Sequence, residues 1–98
     1  MIRVRMPQHL SALAGAEREV ELDVAGRVTQ KAIVDALELR FPALAGALRD
    51  PHTMQRRPFV RFFACGADIS HQSQDLELPD AIISGKEQFL IVAAISGG

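Results

Sequence analysis

Tryptophan and tyrosine are absent, and five phenylalanines are the only aromatic side chains in 98 residues. An aromatic cage for a cationic ligand, which depends on such rings, is therefore not expected. A single cysteine, Cys65, excludes an internal disulfide and suits a reducing compartment. Neither sign of charge dominates: 11 Lys and Arg against 12 Asp and Glu leave a net charge of −1, without the basic excess of a nucleic-acid surface. No apolar run approaches the roughly 20 residues that a membrane helix needs, and the start does not follow the basic-then-apolar pattern of a secretion signal. What remains, with 48% hydrophobic residues, describes one small cytoplasmic domain, just large enough to bury a core without staples. No bound cofactor, metal, nucleic acid or membrane is expected, and the free chain is expected to be a monomer.

Alternation of apolar and polar residues marks the strands. Ile2-Arg3-Val4-Arg5-Met6 alternates and stops at Pro7, and Glu17-Arg18-Glu19-Val20-Glu21-Leu22-Asp23-Val24 alternates again. With a small, turn-like His9–Gly15 connection between them, the two read as a hairpin. Thr29 suits a helix N-cap, Ile33, Ala36, Leu37 and Phe41 follow at helical spacing, and Pro42 disfavours helical geometry at Phe41. Leu44 and Leu48 suggest a further short helical turn, and Asp50–Pro58 reads as a proline-bounded loop. Phe59–Ala64 is a third strand, with a short fourth element around Ile69. Leu76–Ile83 reads as a mostly irregular crossing, and Gln88–Ile95 as the last strand. That last run is the longest nearly all-apolar one, as expected of a strand flanked on both sides. The expected fold class is α+β: a mixed sheet of four to five strands packed on one main helix, with the last strand central and parallel to the first.

The sequence closes with Ile95-Ser96-Gly97-Gly98. Two glycines after an apolar strand contribute no packing and lose the most backbone freedom on ordering. As a free carboxyl terminus they make a thin thread able to carry a carboxylate into another protein's active site. Extended, Ser96 to Gly98 reaches roughly 10 Å. Residues 1–95 would then form the domain and 96–98 a flexible tail. Taken alone, such an ending is equally a frayed terminus.

The order of elements, Val28-Thr29 opening a helix that ends Leu39-Arg40-Phe41-Pro42, and the final Gly-Gly together resemble the ubiquitin-like β-grasp sulfur carriers. That family includes the molybdopterin synthase small subunit, the thiamine-pathway carrier and a cysteine-biosynthesis carrier. The last is the most similar, through the loop at Leu48-Arg49-Asp50-Pro51 and a strand of the Phe59-Val60-x-Phe62-Phe63 type. Two features depart from the family pattern: Ala93-Ala94 replaces a proline-rich approach to the tail, and Gly85-Lys86-Glu87 replaces an acidic turn. The resemblance implies a non-enzyme that serves as a sulfur-donating cosubstrate. An E1-like activating enzyme would adenylate Gly98 with ATP and convert it to a thiocarboxylate, Gly97 and Ser96 would give access, and a biosynthetic enzyme would accept the sulfur. A protein modifier, in which a lysine amine attacks the same adenylate, and a ubiquitin-like binding domain without terminal chemistry remain alternatives.

The other polar candidates read as structural. Cys65 has no neighbouring histidine and reads as a small packed hydrophobe rather than a nucleophile or persulfide carrier. His9, His52 and His71 lie on separate connections without metal-ligand spacing. Asp80 and Glu87 form no carboxylate pair by spacing, and Arg56-Arg57 reads as a solvated loop dipeptide with a weaker reading as an anion or partner contact. A docking surface follows from strand alternation. Arg61 costs too much to bury unpaired, so its face should be open, which places Phe59 and Phe63 outside with it. On the last strand the same alternation puts Phe89 and Ile91 inside and Leu90 and Val92 outside. Phe63, Leu90 and Val92 would form the centre of a partner-docking patch, with Phe59 beside them, Arg61 at the edge and Arg3 and Arg5 along the rim. The alternative is that the Pro51–Pro58 loop folds over this patch and makes it core.

Overall fold

A computed structural model describes residues 1–94. Five strands form one sheet: β1 (Ile2–Arg5), β2 (Glu19–Leu22), β3 (Val60–Ala64), β4 (Ala67–Asp68) and β5 (Phe89–Ala93), in the order β2-β1-β5-β3-β4. β1 runs parallel to β5 with Val4 opposite Phe89 and Arg5 opposite Leu90, while β2 is antiparallel to β1 and β3 antiparallel to β5. The apolar last strand is thus central. Its inward residues Phe89 and Ile91 are 0% and 1% exposed, and the Phe89 ring meets that of Phe62 at 5.3 Å between centroids.

One main helix, α2 (Gln30–Arg40), covers the inner face. Thr29 caps it, its hydroxyl oxygen accepting from the Ala32 amide at 3.0 Å. Phe41, forced out of helical geometry by Pro42, ends it at φ −125°, ψ 80°, and a short 3-10 turn at Pro42–Leu44 follows. Ile33, Val34 and Leu37 of α2 pack with Val4, Met6, Leu44, Leu48, Val60, Phe62 and Ile82 into the core.

Two short helices are additions to the sequence reading. The segment after Pro7 is α1 (Gln8–Ala14) rather than a turn, so β1 and β2 pair antiparallel across a helix, not across a tight hairpin. Gly15 closes it in the left-handed region at φ 70°, its amide and that of Ala16 donating to the carbonyls of Ala12 and Ser11. Within the expected irregular crossing, Asp80–Ile83 forms one helical turn, α3, that sends Ile82 into the core at 0% exposure.

The turn between α3 and β5 is tied to the start of β1. Arg3 Nε donates to the Gly85 carbonyl at 2.6 Å, and Gly85 itself sits at φ 80° where a Cβ would come within 2.5 Å of the Met1 carbonyl oxygen. Only glycine fits there without shifting the backbone.

Candidate functional site

The sheet face away from α2 is open, and its composition follows from the strand register. Leu90 stands between Arg5 on β1 and Phe63 on β3, and Val92 stands opposite Arg61. Phe63 and Leu90 are half-buried, whereas Phe59 and Val92 are 48% and 42% exposed. Alternation therefore assigns the two faces as the sequence implied: Val60, Phe62 and Ala64 lie in the core, and Phe59, Arg61 and Phe63 do not. A hollow of about 480 Å³ at one end of this face is lined by Arg3, Phe63, Cys65, Glu87 and Leu90 among others.

The Pro51–Pro58 loop does not cover the patch. Met54 and Arg56 lie with Val34 and Phe62 on the helix side. Arg56 Nη1 donates to the carbonyls of Val60 at 2.6 Å and Arg57 at 3.0 Å, and its Nε to that of Ser70 at 3.3 Å. Arg57 Nε donates to the Gly46 carbonyl at 3.0 Å, and its guanidinium approaches Asp50 at 3.6 Å. These arginines are half-buried braces for the backbone, not a solvated dipeptide.

Beneath that loop, Arg49 is the one buried charged residue among the described residues, its side chain 6% exposed. Nη2 donates to Asp35 at 2.6 Å and Glu38 at 2.8 Å on α2, while Nε and Nη1 have no hydrogen-bond partner among the described residues. Burial pushes the Asp35 carboxyl up, but hydrogen bonds and charge from Arg49 and Lys31 outweigh it and hold the group below its usual value. Burial disfavours the Arg49 cation, yet Glu38 and Asp35 hold its pKa above normal. This cluster clamps the loop to the helix.

The three arginines expected on the open face differ in their surroundings. Arg3 is fully engaged: besides Gly85 it donates to Glu19 at 3.2 Å and to the Lys86 carbonyl at 3.0 Å. Arg61 contacts His71 Nε2 at 3.0 Å and approaches Asp68 at 3.7 Å. Arg5 has no hydrogen-bond or ion-pair partner among the described residues. Sequence alternation places Arg3 and Arg5 alike, so this distinction was invisible in it.

Cys65 is exposed, not packed. It occupies the two-residue β3–β4 turn with Gly66, at φ 52° and 80°, the conformation of a type I′ hairpin that turns its first side chain outward. His9 and His52 are exposed and distant in sequence from Arg61-linked His71. Asp80 and Glu87 are exposed on α3 and the following turn. No group of three or more His, Cys, Asp or Glu side chains among the described residues could hold a metal ion. No helix there is long and apolar enough to cross a membrane. Ser96, Gly97 and Gly98 lie outside the described residues. Before them, the Ala94 amide donates to the Phe59 carbonyl at 3.0 Å, so the chain is held to the sheet up to that point.

Comparison with solved structures finds this fold in known proteins. SAMP1 from Haloferax volcanii superposes with a TM-score of 0.75 at 21% identity, covering 98% of this chain and 97% of that one. A chain of the Amycolatopsis orientalis BexX/CysO complex gives 0.75 at 22% identity over 100% of both chains. The fold is the ubiquitin-like β-grasp. A second structure of the Haloferax volcanii protein, named small archaeal modifier protein 1, matches this β-grasp at 0.72 and 17% identity over 95% of each chain. No protein-family model and no curated protein matches the sequence.

Proposed function

We propose that this β-grasp chain is a sulfur carrier whose Gly98 carboxylate is the working group. The observation that carries the reading is the placement of β5. It is the central strand, paired on both sides and fastened as far as Ala94, it carries Leu90 and Val92 on the open face, and Ser96-Gly97-Gly98 follow it in sequence after Ile95. A rigid strand ahead of a side-chain-free dipeptide lets a partner grip the sheet face while the last residues enter its active site.

At neutral pH the carboxylate resists nucleophiles. In this reading an ATP-dependent activating enzyme directs a carboxylate oxygen onto the α-phosphorus of ATP, releasing pyrophosphate and leaving an acyl-adenylate on Gly98. Sulfide then adds to the carbonyl and AMP departs, giving the thiocarboxylate without any redox change. With a persulfide donor the first product is an acyl disulfide, which a second thiol reduces. The chain is a cosubstrate in this scheme and its ATP is bound by the partner. The likeness to a chain crystallised in a two-protein complex supports a partner enzyme. A biosynthetic enzyme, in cofactor or cysteine synthesis, would receive the sulfur.

A second reading, protein modifier, is favoured by the likeness to a protein named as one. There a lysine amine displaces AMP instead of sulfide. Reconstitution with the activating enzyme, ATP and sulfide tests the carrier reading. The full chain should gain sulfur and a chain lacking Gly98 should not, and sulfur gained by the shortened chain would refute it.

A further inference from the structure

We infer that the open face recognises the activating enzyme through a surface that sets a carboxylate against Arg5 while seating an apolar side chain on Phe63 and Leu90. This deepens the sulfur-carrier reading and rests on it. Among the guanidinium groups of that face, Arg5 alone lacks a counter-charge within the described residues. Its cross-strand neighbour on β2 is Glu19. That carboxylate is taken by Arg3 at 3.2 Å and by the Gln88 side-chain amide. On its other side, its register partner is the half-buried apolar Leu90. Arg61, across the apolar strip, is occupied by Asp68 and His71. The strip is therefore flanked by one neutralised cation and one available cation.

The spacing states what the partner must present. Neighbouring strands lie about 4.8 Å apart, so the acid has to sit roughly one to two strand spacings from the apolar residue that rests on Leu90 and Phe63. A guanidinium pairs a carboxylate through two parallel N–H donors, a geometry that lysine does not reproduce. Placed at the margin of an apolar contact, such a pair speeds encounter and fixes orientation. Here orientation matters because β5, which carries Leu90 and Val92, also leads to the reacting residue.

The test uses the whole chain and the partner's own activity. Wild type, Arg5→Glu, Arg5→Gln and Arg27→Glu are added at equal, subsaturating concentration to a cell extract of the source organism with ATP, magnesium and sulfide. Sulfur-for-oxygen exchange at Gly98 is timed by intact mass at low and high salt. Arg27 lies between β2 and α2 in an exposed 3.6 Å contact with Glu77, so its reversal changes net charge equally but away from the open face. Arg5→Glu should be exchanged about tenfold or more slowly at low salt, with the gap narrowing as salt screens the pair. Arg5→Gln should fall between, and Arg27→Glu should match wild type. Because the Arg5 side chain makes no hydrogen bond or ion pair among the described residues, both Arg5 variants should melt close to wild type. Should Arg5→Glu melt early, the neutral variant decides. Exchange of Arg5→Gln at the wild-type rate, or equal slowing by Arg27→Glu, overturns the inference. No exchange of wild type overturns the carrier reading itself, an outcome read separately from any difference among variants.

Discussion

Leu90 and Ile91 are adjacent on the central strand but face opposite ways, and an Asp at each should have opposite consequences. Ile91 is 1% exposed between the sheet and α2. Full burial of such a side chain stabilises by roughly 1.5–3 kcal/mol, and an unpaired carboxylate in its place adds several more. Against a total of about 5–15 kcal/mol for a small domain, Ile91→Asp should leave the chain largely unfolded at room temperature. Leu90 is half-buried on the open face beside Arg5, which can pair with an introduced carboxylate. About half of its burial is realised in the free chain, so Leu90→Asp should cost about 1 kcal/mol of stability and lower the melting temperature by roughly 4–8 °C. The remaining burial is available only on docking, and losing it together with burying a charge should weaken partner association at least about tenfold. Thermal melts followed by circular dichroism measure the first effect, and the rate of sulfur transfer at subsaturating carrier measures the second. A Leu90→Asp chain that fails to fold would show that this face packs against something. A folded one with unchanged transfer would remove the docking role.

Two further expectations concern the clamp under the loop. Arg49→Met leaves Asp35 and the mostly buried Glu38 without their guanidinium and should cost roughly 1–3 kcal/mol, on the order of 5–20 °C in melting temperature; a melt within a degree of wild type would show the cluster to be incidental. The Asp35 carboxyl is held below its unfolded value, so its contribution is complete above an unfolded pKa of about 3.9 and disappears as pH falls through the lower folded value. Melting temperature should therefore fall less steeply below about pH 4 in Asp35→Asn than in wild type, and parallel acid profiles would contradict this.

Most of the sheet was legible in the sequence because period-2 alternation reports burial directly. Arg61, too costly to bury unpaired, fixed which face was open, and Thr29 and Pro42 bounded α2 through local chemistry alone. The short helices were not legible, because α1 spans seven residues and buries only Leu10 and Ser11, too little for a helical period to register. The outward turn of Cys65 required backbone conformations that residue type does not announce for cysteine. Arg3 pairs with a carbonyl 82 residues away, and Arg5 with nothing described, although both occupy equivalent places in the same alternation. Burial of Arg49 likewise depends on acids 11 and 14 positions earlier being carried to it by the helix. Partners set by tertiary register cannot be read from a local pattern.

The most direct test of the sulfur-carrier reading is the intact mass of the protein isolated from its own host, with the modified residue located by fragmentation. A population in which one sulfur replaces one oxygen, confined to Gly98, is the expected result. A carboxyl terminus that is unmodified under every growth condition, or found only in amide linkage to lysines of other proteins, would contradict it.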